Sequence, residues 1–165
     1  MFEKQPWMQR AGEYPQSDQE YFALLARAVF SAGLGPKVVE SRWKEIGLAF
    51  CGFDPAQVAQ MDEQDVARLL SDPGVIRNRR KIEAVIKNAG TFLEQIDGLD
   101  GRTHDGHAPF HTYLLDLDAG TDLDVAADGL AQIFAHLGRT SALFFLFSAG
   151  WRPREMEGVA ALAGA

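Results

Sequence analysis

The segment Asp72-Pro73-Gly74-Val75-Ile76-Arg77-Asn78-Arg79-Arg80-Lys81 sets a tight-turn Pro-Gly pair just before four cations. The chemistry that suits this pattern is anion binding. Backbone N–H groups left free after a glycine turn and at a helix start point at one spot, and an anion is accepted there. Cations at a helix N-terminus are disfavoured by roughly 0.3–1 kcal/mol each, so an anionic partner such as a phosphate is expected to compensate them. Val66, Leu69 and Leu70 before the turn, and Ile82, Val85, Ile86, Ala89, Phe92, Leu93 and Ile96 after it, recur at helical spacing. Two amphipathic helices around such a turn form a helix-hairpin-helix over 62–96, a unit that grips a nucleic-acid backbone. The candidate DNA-binding residues are Gly74, Val75, Arg77, Asn78, Arg79, Arg80 and Lys81. The alternative is a solvated basic helix end.

Other groups are weaker candidates for chemistry. His104, His107 and His111 have spacings that suggest a metal, but Gly106 and Pro109 interrupt a continuous helix, and a mobile polar loop is the expectation. Cys51 has no second cysteine for a disulfide or a cysteine-rich metal site, which suits a reducing cytoplasm; it is read as packing near a helix end.

The elements that must position these residues read as helices throughout. With 165 residues, 47% apolar and 24% charged, the chain suits one globular domain, and no apolar run approaches a membrane span. No basic start and apolar core marks a secretory leader. The net charge is −7, yet five of the 16 basic residues lie between Arg77 and Lys87 against the single acid Glu83. Asp97, Asp100, Asp105, Asp116, Asp118, Asp122, Asp124 and Asp128 crowd a later stretch whose only Lys or Arg is Arg102. One basic face opposite an acidic one would orient the protein on DNA.

Residues 1–16 carry Pro6, Gly12 and Pro15 without a period, which predicts a loosely attached arm with Trp7 as its anchor. Ser17-Asp18-Gln19-Glu20 reads as a capping box for a first helix, broken at Ala32-Gly33-Leu34-Gly35 before Pro36 opens a second. Asp54-Pro55 starts a short third helix, and Asp62 caps the helix leading into the hairpin. A Gly- and Asp-rich loop spans 98–109. Short helices are expected at Phe110–Leu115 and Leu123–Leu137, then a buried one capped by Thr140 and ending at Gly150. The single domain is expected over 17–151, with a tail over 152–165.

Between Tyr21 and Leu93 these pieces resemble the DNA-3-methyladenine glycosylase I family, a branch of the helix-hairpin-helix DNA glycosylases. The matching residues are Ala32-Gly33-Leu34, Phe53-Asp54-Pro55, Val58-Ala59, Met61, Asp65-Val66, Arg68-Leu69, Gly74-Val75-Ile76-Arg77-Asn78 and Lys81-Ile82, with a weaker match over 138–150. The resemblance implies an all-α, helix-hairpin-helix glycosylase-like bundle. It also implies hydrolysis of the N-glycosidic bond of an alkylated purine flipped out of duplex DNA, in base excision repair and without a cofactor. Phe30, Leu34, Pro36 and Trp43 then become candidates for lining the base pocket, with core packing as the alternative for the aromatics.

Three family features are replaced here. Ala28 stands where the family carries a base-binding glutamate, and Pro36 stands at the position of a stacking tryptophan. The paired Cys and His ligands are absent, so no zinc is expected. Glu40 and Glu45 supply a substitute carboxylate only if the second helix turns them inward. Asp97 and Asp100 lie where related glycosylases place a catalytic aspartate, though solvated loop positions are the expectation. The alternative function is a helix-hairpin-helix DNA-binding protein that has lost catalysis; a scaffold protein using its apolar C-terminal helix is a third reading.

Overall fold

Side-chain caps set where most of the helices begin. In a computed structural model of the chain, which describes residues 2–153 and leaves the side chain of Pro36 undescribed, Ser17 Oγ accepts the Glu20 N–H and opens α1, Asp18–Ser31. Glu20 turns its carboxylate back to the Gln16 amide, satisfying one more donor before the helix. Pro36 opens α2, Pro36–Ala49, where its missing N–H costs nothing. A 3₁₀ turn at Cys51–Phe53 leads to α3, Pro55–Ala59, capped by Asp54. α4, Glu63–Ser71, has a full capping box between Asp62 and Asp65. After the hairpin come α5, Arg79–Asp97; α6, Pro109–Asp116; α7, Leu123–Ile133, capped by Asp122; and α8, Arg139–Ser148. The described residues contain no strand.

Two boundaries differ from the sequence reading. Thr140 lies inside α8, and Gly138 is the residue before it, because the helix starts as soon as Gly138 allows an extended entry. Cys51 is exposed with a positive φ of 56°, so it turns the chain and does not pack.

α1 lies at the centre, packed against α2, α5, α6 and α8. Its Tyr21, Phe22, Leu25 and Phe30 are fully buried. Phe92 of α5 stacks on Phe110 of α6 at 4.2 Å, extending the aromatic core. Asn88 is buried in α5 and clamps the chain after α7, donating to Ala135 O at 3.0 Å and accepting from Ala135 N–H at 2.7 Å. That pair satisfies both ends of a buried amide.

The N-terminal arm is tied down, unlike the loose arm expected. Gln9 N–H donates to Ser148 O and Gly12 N–H to Gly150 O, each at 2.9 Å. Arg152, assigned to a tail by the sequence reading, is buried and donates to Phe147 O and Gln9 O. Residues 154–165 of that tail lie outside the described residues.

Candidate functional site

A cavity of about 360 Å³ opens where the arm crosses the end of α1 and the start of α8. α1 and the turn after it contribute Ala28, Ser31, Ala32 and Gly33; α8 contributes Thr140, Ser141 and Phe144. The arm closes the remaining side with Phe2, Glu3, Gln5 and Met8. The volume falls within the range of small-ligand pockets. Its room comes from small side chains, since Ala28, Ser31 and Ala32 recur on one helical face and leave space that longer residues would fill.

The residues expected to line a pocket do not line this one. Phe30 is fully buried and meets Phe50 edge-on at 5.6 Å. Two residues on from Ala28, it projects about 200° around the helix, toward the core. Trp43 stacks on Phe53 at 4.9 Å. Leu34 is half-buried beside the core, away from the cavity wall. Pro36 is placed only as the first residue of α2. Glu40, Glu45, Asp97 and Asp100 are all exposed and none borders the cavity. The signal that marks the cavity is the run of small residues, and sequence reasoning followed the aromatics instead. No local pattern marked Phe2 and Glu3.

Arg27, one position before Ala28, holds the arm to α1. Its guanidinium sits 3.5 Å over the Trp7 ring and 4.9 Å from the Trp43 ring. Burial pulls its pKa down to about 10, so it stays charged at neutral pH and the indole faces compensate it. Trp7 is thus an anchor, as the sequence suggested.

In the hairpin the backbone and side chains divide their tasks. Gly74 N–H donates to Asp72 Oδ1 at 2.8 Å and Val75 N–H to Asp72 O at 3.2 Å. A Cβ on Gly74 would lie 3.1 Å from Glu45 Cβ, so glycine lets α2 approach the turn. Asn78 Oδ1 accepts from Lys81 N–H at 3.2 Å and caps α5, a role its type announces. The amides of Arg79 and Arg80 have no protein acceptor among the described residues. Both point out of the start of α5.

The cations separate into three kinds. Arg77 and Arg80 are exposed and form no ion pair among the described residues. Arg79 is bound to Glu63 at 2.8 Å and Glu83 at 3.1 Å, which raise its pKa. It is therefore already neutralised. Lys81 turns inward: only 6% exposed, it donates to Phe30 O at 2.9 Å and Ala32 O at 2.5 Å. It caps the C-terminal carbonyls of α1, where the helix dipole favours a cation, and burial pulls its pKa down. Val75 is likewise buried, so only its backbone remains for a ligand. Of the seven residues proposed for the strand contact, Lys81, Arg79, the Asn78 side chain, the Val75 side chain and the amides of Gly74 and Val75 are engaged within the protein. The amides expected to be free after the glycine turn are thus held by Asp72, and the open donors among the described residues are those of Arg77, the Arg79 N–H and Arg80.

The histidines are not a mobile loop throughout. His111 is buried in α6, its Nδ1 hydrogen-bonded to the Tyr21 hydroxyl at 3.1 Å. His107 stacks on it at 4.1 Å, and Tyr14 and Trp151 close the cluster. Among the described residues no group of three or more His, Cys, Asp or Glu is placed to hold a metal ion.

An all-helical scaffold, a basic hairpin and a cavity tied to it through Lys81 define a helix-hairpin-helix DNA glycosylase fold. The methyladenine glycosylase family matches residues 7–117, and the chain belongs to that family. Over 81 residues it is 38% identical to DNA-3-methyladenine glycosylase 1 of Escherichia coli (strain K12), covering 48% of this chain and 43% of that protein. The DNA-3-methyladenine glycosylase of Haemophilus influenzae is 34% identical over 80 residues, again 48% and 43%. The matched stretch thus spans less than half the length of these curated relatives. Among solved structures, 3-methyladenine DNA glycosylase I from Staphylococcus aureus superposes with a TM-score of 0.73 at 25% identity, over 90% of this chain and 87% of that one. A tyrosine-to-phenylalanine variant of a 3-methyladenine DNA glycosylase I, solved with 3-methyladenine, gives 0.73 and 25% over 90% and 88%. No helix among the described residues is long and apolar enough to cross a membrane.

Proposed function

We propose that this chain is a cytoplasmic DNA repair glycosylase that hydrolyses the N-glycosidic bond of an alkylated purine of the 3-methyladenine type. The observation that carries the reading is the cavity at Ala28 and Ala32-Gly33, joined by Lys81 to a hairpin whose Arg77 and Arg80 face solvent. The hairpin holds phosphates of double-stranded DNA, and the flipped base enters the cavity. The chemistry asks little of the protein. Methylation leaves the ring positively charged, so when the bond from the sugar C1′ to the base breaks, its electron pair neutralises the leaving base. Water then adds to C1′ and gives up a proton, so holding the extruded base is the main task.

The test is release of methylated base from alkylated duplex DNA by the purified full chain, followed chromatographically. Release above the uncatalysed rate is the expected result. No release from a folded protein at high concentration would remove the enzyme reading. A second reading, a DNA-binding protein without catalysis, is favoured by one observation: the helices place no carboxylate on the cavity wall. It requires salt-sensitive binding to duplex DNA with no base released.

A further inference from the structure

Among the described residues the cavity has one ionisable side chain on its wall, Glu3 of the arm. The other walls are small, hydroxyl-bearing, amide or apolar residues, with Phe2 and Phe144 set edge to face at 5.5 Å. A cationic ring entering such a space loses water, a cost that only a nearby anion or aromatic faces offset. We propose that Glu3 reads the base by pairing its carboxylate with the positively charged ring. This rests on the reading of the cavity as the base site.

Glu3 borders the cavity while remaining exposed to solvent, so its carboxylate is open to a ligand. It forms no ion pair among the described residues. Four residues on, Trp7 is fixed over Arg27. A turn around Trp7 closes from Met8 N–H to Gln5 O at 3.0 Å, and beyond it Gln9 is bound to α8 and to Arg152. The carboxylate therefore stands just before a segment tied down from Gln5 onward, on a cavity wall that it shares with Ala28. Because Ala28 also borders the cavity, a glutamate there would bring a carboxylate into the same space from α1. Selectivity for charged over neutral rings follows from where this single anion stands.

The experiment uses the full chain as wild type, Glu3→Gln, and the double variant Glu3→Gln with Ala28→Glu. Two probes are titrated by quenching of tryptophan fluorescence: 3,9-dimethyladeninium, a permanent cation, and neutral 9-methyladenine. Excision from alkylated duplex is measured in parallel. Wild type should prefer the cation, and Glu3→Gln should weaken cation binding about tenfold or more, the scale of a charge-assisted contact. Neutral-probe affinity and melting temperature should stay unchanged, which a merely structural role would not give. The double variant should recover most of the preference. If Glu3→Gln keeps the wild-type preference and excision rate, the assignment of Glu3 is overturned while the base pocket stands. If wild type binds neither probe and releases no base, the pocket reading falls and takes this inference with it.

Discussion

The N-terminal arm lines the cavity, the hairpin reaches the carbonyl of one lining residue, Ala32, through Lys81, and the two are held by different means. The hairpin is built locally: Asp72 binds the turn amides, Asn78 caps α5, and the contacts span a few residues. The arm is built across the chain, through backbone bonds to Ser148 and Gly150 and an indole on Arg27. A locally encoded unit keeps its shape when its surroundings change. An arm held by distant partners can be released as a whole, and with it the cavity wall that carries Phe2 and Glu3.

The largest expected effect is therefore at Gly150. Its φ is +97°, and a Cβ there would stand 2.6 Å from Glu13 O and 2.9 Å from Arg10 O, both backbone atoms of the arm. Gly150→Ala should cost about 3 kcal/mol or more from left-handed strain and steric clash together. For a chain of this size that is a fall of roughly 6–12 °C in melting temperature. An unchanged melting curve would show that the arm is not held at this point. Next is Lys81→Met, which orphans the carbonyls of Phe30 and Ala32 and should cost about 2 kcal/mol. This variant tests whether the hairpin turn is as local as it looks, since it removes the hydrogen bonds from the start of α5 to the end of α1; thermal melting reads the cost, and the slope of DNA affinity against salt should not change.

The arm also carries a pH dependence through Tyr14, which packs on His111 and His107. Burial, then the neighbouring His107 and His104, push the His111 pKa down to about 4 from the ordinary 6.5. A folded-state value below the unfolded one means the neutral ring is favoured in the fold. The stabilisation is complete above about pH 6.5 and is lost progressively as pH falls toward 4. Melting temperature should drop between pH 7 and pH 5, and His111→Gln should flatten that drop. A drop that survives in the variant assigns it to other groups.

The same division explains what the sequence disclosed. Caps at Ser17, Asp54 and Asp62 and the hairpin turn were readable because each depends on residues within four positions. The apolar faces of α4 and α5 were readable from periodicity. Phe30 was a pocket candidate through its nearness to the motif of the resemblance, with core packing as the alternative. Nearness in sequence does not tell which face of α1 a residue occupies, and the structure buries it in the core. Lys81 looked like a phosphate ligand because its acceptors lie some fifty positions away in α1 and the turn after it. Glu3 and Phe2 carried no signal, since a segment without period gives no direction to its side chains. The small residues Ala28, Ser31 and Ala32 did carry one, for a cavity is legible as missing volume.

The smallest effect separates cations that look alike in sequence. If Arg77 and Arg80 contact phosphate, replacing both by alanine should reduce the slope of log affinity against log salt by about two, one for each cation lost. Because both are exposed and form no ion pair among the described residues, the melting temperature should not move. Arg79→Ala should leave the slope unchanged, since Glu63 and Glu83 already hold that guanidinium and binding a phosphate would first require breaking two ion pairs. A loss of slope for Arg79→Ala equal to that for Arg80→Ala would mean that DNA displaces both glutamates. The internal pairing would then be a resting state that the duplex opens, and the basic start of α5 would act as one surface with three free arginines.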